Sequence, residues 1–242
     1  FKSLQEAARK KPVLVWKVGL TEDAARATEA HTGTSFIQEE LWNALLYRCG
    51  AVPIESQTDM IDTAKALSLI PSASGYRVGL YASTGGHSTD MANVFSKSGF
   101  KVPQLTERSY SELRSFYNMI GGNYVNPIQQ APPEHFERIL DILSKDENVD
   151  LVAAEVPVSR MANDKEFFDD RIRIFRDLQA NSPKPIVAMA TTGYPRLDPA
   201  VEEAMNKRFT QEGILSFPNF LSGAKALKKL VDYHTLNGYI SN

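Results

Sequence analysis

Little in this sequence lends itself to cross-linking, membrane insertion or the binding of polyanions. A single cysteine, Cys49, occurs in 242 residues, which excludes an intramolecular disulfide and fits a reducing compartment. It falls on the apolar face of a helical segment and reads as a small buried hydrophobe. No apolar run approaches the ~20 residues needed to cross a bilayer. The opening Phe1-Lys2-Ser3-Leu4-Gln5 has neither the charged head nor the apolar stretch of a signal peptide, so a cytoplasmic protein is expected. Neither sign of charge dominates: Lys and Arg number 27 against 29 Asp and Glu, a net charge of -2. Without a basic field, a nucleic acid or an anionic membrane is excluded as partner. No Cys or His cluster has metal-ligand spacing, and no Rossmann or P-loop phosphate fingerprint is present. What is there is 43% hydrophobic and 23% charged residues, enough for one large domain or two modest ones with a real core. The chain begins without methionine inside an amphipathic helix, and further sequence upstream of Phe1 is expected.

Short β-rich runs alternate with longer stretches of helical spacing, the mark of a doubly wound parallel sheet. The pattern predicts strands at 13–18, 51–54, 77–82, 151–156, 186–190 and 214–217. Several are apolar on both faces, as strands covered on each side by helices must be. Helices are predicted at 1–10, 36–49, 58–68, 88–98, 109–119, 133–145, 165–181, 199–212 and 222–234, most of them opened by Ser, Thr or Pro. Pro71-Ser72-Ala73-Ser74-Gly75 reads as a linker. It divides a first lobe, 1–70, from a second, 76–242. Four strand signals after the linker suffice for a complete small α/β lobe, whereas the two before it are too few, so the first lobe is expected to be incomplete.

Two segments have residue types suited to anion chemistry. Between the first strand and the helix expected from Phe36 runs a long segment, read as a loop, that ends in Ala30-His31-Thr32-Gly33-Thr34-Ser35. Loops at the carboxyl ends of parallel strands hold the chemistry of α/β sheets. Small residues after a histidine let the backbone approach an anion and then open a helix with a partly positive end. In the second lobe, Arg77 to Ala82 runs into Ser83-Thr84-Gly85-Gly86-His87-Ser88 and a helix, a second glycine turn of the same kind. Two such ends can grip one phosphate between the lobes. His87 adjoins Gly85 and Gly86, but its position carries little weight alone. His135 and His234 fall on helices as surface or packing residues, and Asp169-Asp170 and Glu202-Glu203, being adjacent, face different ways as solvated charges.

These residues resemble a known family, the NDP-forming acyl-CoA synthetases, which include the ADP-forming acetyl-CoA synthetases and succinyl-CoA synthetase. Lys11-Pro12-Val13 with Lys17 and Gly19, then Ala24 to Ala27, then His31-Thr32-Gly33, Ala44 and Gly50, are similar to the family's K-P-V-x-x-x-K-x-G, G-A-R-A, S-H-T-G and helix-to-glycine pattern. In the second lobe Gly85-Gly86, Asn126-Pro127 and Asn148-Val149-Asp150 match its G-G, N-P and N-V-D positions. The chain departs from the family at Ala24, at Ala30, at Thr34-Ser35-Phe36-Ile37, which is bulkier than the usual S-L-A-G, and at Gln129.

The resemblance implies two flavodoxin-like, succinyl-CoA synthetase-type lobes. It also implies an acid–CoA ligase in which His31 accepts phosphate from an acyl phosphate and passes it to a nucleoside diphosphate. Thr32, Gly33, Thr34 and Ser35 from one side and Gly85, Gly86 and Ser88 from the other would hold the phosphate. CoA and ATP or ADP with Mg would enter as substrates bound mainly by a CoA-binding domain and an ATP-grasp domain or subunit, beside a small carboxylic acid, in an oligomer. No tightly bound cofactor and no metal site in this chain are expected, and alone the chain should complete no turnover. The alternative is a non-catalytic, acyl-CoA-sensing module of a lysine acetyltransferase-type protein, against which the presence of His31 argues.

Overall fold

A computed structural model describes residues 1–33, 37–118, 124–192 and 199–240. The chain opens with α1 (Lys2–Ala8), β1 (Leu14–Trp16), α2 (Glu22–Thr32), α3 (Glu39–Arg48), β2 (Val52–Ile54) and α4 (Gln57–Leu69). β1 and β2 form a parallel two-stranded sheet in which Leu14 pairs with Val52 and Trp16 with Ile54. After the 71–75 segment follow β3 (Val78–Ala82), α5 (Gly85–Lys97), α6 (Glu107–Arg114), β4 (Ile128–Gln129) and α7 (Phe136–Lys145). β5 (Leu151–Pro157), α8 (Val158–Asn163), α9 (Lys165–Asn181), β6 (Ile186–Thr191), α10 (Pro199–Gln211), β7 (Ser216–Phe217) and α11 (Phe220–Ile240) complete it.

The second sheet is wholly parallel, in the order β4-β3-β5-β6-β7. That order reverses between β3 and β5, and the crevice outside their carboxyl ends is where a doubly wound sheet takes its ligands. β3 and β6 are buried at every residue, which is why their sequences are continuously apolar instead of alternating. Two apolar layers cover the sheet. One is built on Leu140 and Leu143 of α7, Phe175 of α9 and Phe209 of α10. The other is built on Met91 and Phe95 of α5 with Leu227 and Leu230 of α11, and Ala66 and Ile70 reach into it from α4 and its end. At about 25 cal/mol per Å² of apolar area removed from water, such layers are the main favourable contribution to folding.

α4 thus ties the small sheet to the large one. Charged groups in and beside it also meet α11, where Lys229 is ion-paired with Asp59 and Lys225 Nζ lies 2.8 Å from Glu55 Oε2, and β7, where Lys65 Nζ donates to the Ser216 carbonyl at 2.9 Å. Within the large sheet, β4 is only two residues long, and Asn126 extends the edge below it. The Asn126 Oδ1 accepts from Leu80 N at 2.8 Å while its Nδ2 donates to Val78 O at 2.8 Å, substituting for a missing strand partner. Gly75, at φ 80°, is required by close approach, since a Cβ there would stand 2.2 Å from Asp150 Oδ2. That carboxylate is the one that holds Arg77 through its backbone N at 2.9 Å and its guanidinium.

All six predicted strands form, and the α/β class with parallel sheets is observed. Three elements were not expected. β4 is too short to show a period, and α8 is six residues following the Pro157 cap. The third, α2, alters the surroundings of His31 and is described below. Among the described residues no helix is long and apolar enough to cross a membrane.

Candidate functional site

The segment expected to be a long histidine loop is helical. Thr21 caps α2 by accepting from Ala24 N at 3.3 Å, and Glu22 and Asp23 place negative charge at its positive end. Four alanines among its eleven residues favour the helix further. Gly33 then ends it in the left-handed conformation, φ 66° and ψ 15°, its N–H bonded to Glu29 O at 2.9 Å. A Cβ at Gly33 would meet nothing within 4 Å, so glycine is needed there for φ and not for space. The sequence reading treated Gly33 as opening an anion-binding turn; it closes a helix, and the reason is the cap, charge and alanine pattern preceding it.

His31 therefore stands exposed in the last turn of α2. That is the negative end of the helix dipole, which disfavours a bound dianion. Among the described residues it has no hydrogen-bond partner. Thr34 and Ser35 lie outside the described residues, Thr32 completes α2, and α3 begins only at Glu39, with Glu39 and Glu40 in its first turn. Among the described residues the next amino-terminal helix end after Gly33 is that of α3 at Glu39. β1, the N-terminal turn of α2 and α3 instead line a cavity of about 370 Å³ that includes Trp16, Gly19, Thr21 and Trp42.

The second-lobe turn lies at the carboxyl end of β3, at the switch point. Thr84 caps α5, its side chain accepting from His87 N at 3.2 Å and its carbonyl accepting from Ser88 N at 2.9 Å. Ser88 is buried and its N–H is engaged there, while Gly85 and Gly86 carry no backbone bond from their N–H groups among the described residues. The space above Gly86 is open: a Cβ there would touch nothing within 4 Å.

Across the crevice, β5 contributes a residue that the sequence reading passed over. Glu155 is fully buried, and its Oε2 accepts from Ser83 N and Ser83 Oγ, each at 2.7 Å. Its Oε1 accepts from Thr191 Oγ1 at 2.7 Å and stands 2.5 Å from His87 Nδ1. The signal for it was one acidic residue in the otherwise apolar run Leu-Val-Ala-Ala-Glu-Val-Pro. A charge costs too much to bury in a central strand unless it is hydrogen-bonded and paired. His31 and the Gly85–His87 turn belong to different sheets and share no hydrogen bond or ring contact among the described residues. No group of three or more His, Cys, Asp or Glu among the described residues is arranged to hold a metal ion.

Residues 1–67 match the model of the succinyl-CoA ligase like flavodoxin domain. The alpha subunit of ADP-forming acetate–CoA ligase II from Pyrococcus furiosus is 29% identical over 194 residues, covering 78% of this chain and 42% of that protein. ADP-forming acetate–CoA ligase I from Archaeoglobus fulgidus is 29% identical over 151 residues, 61% of this chain and 22% of that protein. The chain thus spans less than half the length of these curated relatives. In fold it is similar to the dinucleotide-forming acetyl-coenzyme A synthetase 1 of Ca. Korarchaeum cryptofilum, solved with phosphate and ADP, with a TM-score of 0.77 at 21% identity over 99% of this chain and 50% of that one. The resemblance to the NDP-forming acyl-CoA synthetases is shown by sequence and fold together: this chain is similar to part of such an enzyme, with a succinyl-CoA ligase like flavodoxin domain matched at its start.

Proposed function

We propose that this chain is part of an acid–thiol ligase that interconverts acyl-CoA, nucleoside diphosphate and phosphate with carboxylic acid, CoA and nucleoside triphosphate through a phosphohistidine on His31. The observation that supports this reading most is the 25% identity to the alpha subunit of ADP-forming acetate–CoA ligase I from Pyrococcus furiosus over 93% of this chain, a stretch long enough to include His31. The division at 71–75 into 1–70 and 76–242 follows the change from the small sheet to the large one. A CoA-binding domain and an ATP-grasp domain or subunit are the proposed partners, and alone the chain completes no turnover.

An exposed imidazole is a good nucleophile near neutral pH and its phosphoramidate retains high transfer potential. On an acyl phosphate, the His31 nitrogen forms the new N–P bond and the electron pair of the breaking P–O bond leaves with the carboxylate. The carboxyl end of α2 works against storing the phosphoryl group: a dianion there is held in an unfavourable field. A carrier of this kind hands its group on instead of keeping it. Donors for the phosphate are proposed from Thr32, Gly33, Thr34 and Ser35 on one side and from Gly85, Gly86 and Ser88 on the other, beside the partner domains.

The test is acid-labile, base-stable labelling of the full-length protein, with its partner domains, by γ-labelled ATP and magnesium. Label is expected on His31 and absent from a His31→Asn variant. If His31 remains unlabelled while nucleotide binds, the ligase reading fails and the acyl-CoA-sensing alternative takes its place.

A further inference from the structure

The second lobe contains an imidazole–carboxylate pair for which the His31 chemistry has no use. We infer that His87, with Glu155 as its positioning residue, is a second phosphoryl-accepting imidazole that reacts through Nε2. The inference rests on the proposed function for its phosphoryl donor, an acyl phosphate or the phosphoramidate of His31.

Three observations carry it. First, the Glu155 side chain is 1% exposed while that of His87 is 41% exposed. The pair thus buries the carboxylate and presents the ring to solvent. Second, Glu155 is fixed by donors on both oxygens, from Ser83 and Thr191. It therefore stands as a rigid acceptor for His87 Nδ1 at 2.5 Å. A carboxylate at Nδ1 selects the tautomer with the proton on that nitrogen, orients the ring and leaves the Nε2 lone pair for attack. Phe220, edge-on to the ring at a centroid distance of 6.0 Å, restrains it further. Third, the pair lies at the sheet's switch point, beside the two unengaged N–H groups of Gly85 and Gly86 and the open space above Gly86. Those donors point to where a phosphoryl oxygen would rest. His31 has no such support: no carboxylate holds it among the described residues, and its helix presents the opposite pole.

In the step, Nε2 of His87 attacks phosphorus and the N–P bond forms as the bond to the leaving atom breaks. The electron pair departs with the carboxylate of an acyl phosphate or with the ring nitrogen of His31. The Nδ1 proton stays between His87 and Glu155, whose charge offsets the positive charge that develops on the ring.

The experiment labels the full-length protein with ³²P-acetyl phosphate and magnesium and locates phosphohistidine by mass spectrometry, in wild type and in His31→Asn, His87→Gln and Glu155→Gln variants. Label on the peptide containing His87 is expected, absent in His87→Gln and formed at least tenfold more slowly in Glu155→Gln. Label on His31 alone overturns the inference and leaves the proposed function standing. Label on His87 alone leaves the inference standing and removes the proposed function, and label on neither overturns both. Because Glu155→Gln changes a buried charge and can misfold, the tautomer is read separately by ¹⁵N NMR of wild type. A proton on Nε2 of His87 in place of Nδ1 overturns the positioning role.

Discussion

The two sheets are made from the same alternation of strand and helix, yet only one of them reaches a closed core. In the large sheet β3, β5 and β6 lie between two helical layers, and side chains such as Leu80, Val152 and Val187 are inaccessible to water. In the small sheet β2 is buried at each of its three residues, but β1 is only partly covered, and Trp16, Val18 and Leu41 are 46%, 65% and 54% exposed. Local propensity makes elements in both regions, but a parallel sheet becomes stable only when enough strands stand together to bury both faces. The two histidines follow the same divide. His87 is fixed from beneath by a buried carboxylate of a central strand, and His31 stands on an exposed helix end.

The largest expected effect tests the contrast in packing. Phe175→Ala, in the layer under α9, should lower stability in urea denaturation by about 3–5 kcal/mol, whereas Trp16→Ala should cost less than about 1 kcal/mol. Equal costs would break the comparison. The next tests whether the segment before His31 is a helix in solution. Thr21→Ala and Gly33→Ala should each cost about 1 kcal/mol, the first by losing the cap and the second by forcing a Cβ into positive φ. Loss of amide protection confined to 22–32 would locate the effect, and no change in either variant would restore the loop. Gly86→Ala sharpens the contrast between the two glycine turns. Its φ is not positive and its surroundings are open, so alanine should be neutral or stabilising by about 0.4–1 kcal/mol through the unfolded chain.

The smallest effects are in pH dependence, and they have opposite signs in the two regions. Asp146 is subject to burial, which raises its pKa, but hydrogen bonds from Ser109, Thr106 and Asn148 outweigh burial and hold it below the usual carboxylate range. Its contribution to stability is fully present above the unfolded value of about 3.9 and is lost as pH falls through its lower folded value. Asp62 of α4 is pushed up, chiefly by burial against the opposing charge of Lys65, and its Oδ2 has no partner among the described residues. Its contribution is present below about pH 3.9 and is lost as pH rises through its higher folded value. Asp62→Asn should therefore be more stable than wild type at pH 7, with the difference closing below about pH 4, while Asp146→Asn should be less stable at pH 7. Denaturation midpoints measured from pH 3 to pH 8 check both.

Strand and helix periods and the glycine turn at Gly85-Gly86 were legible from residue order, because each follows from which neighbours along the chain are apolar or conformationally free. The α2 signals, Thr21, two acidic residues, alanines and Gly33, are also present in that order. What residue order by itself determined is this local layer: the elements, their caps and the apolar faces they must bury. Only the tertiary structure decided that Ser83 after β3, Thr191 at the end of β6 and His87 of α5 converge on Glu155 of β5. Likewise, only the fold set α4 against α11. Those pairings join residues tens of positions apart, and their partners are selected by the order in which strands line up in a sheet, a property of the packed whole that no local period encodes.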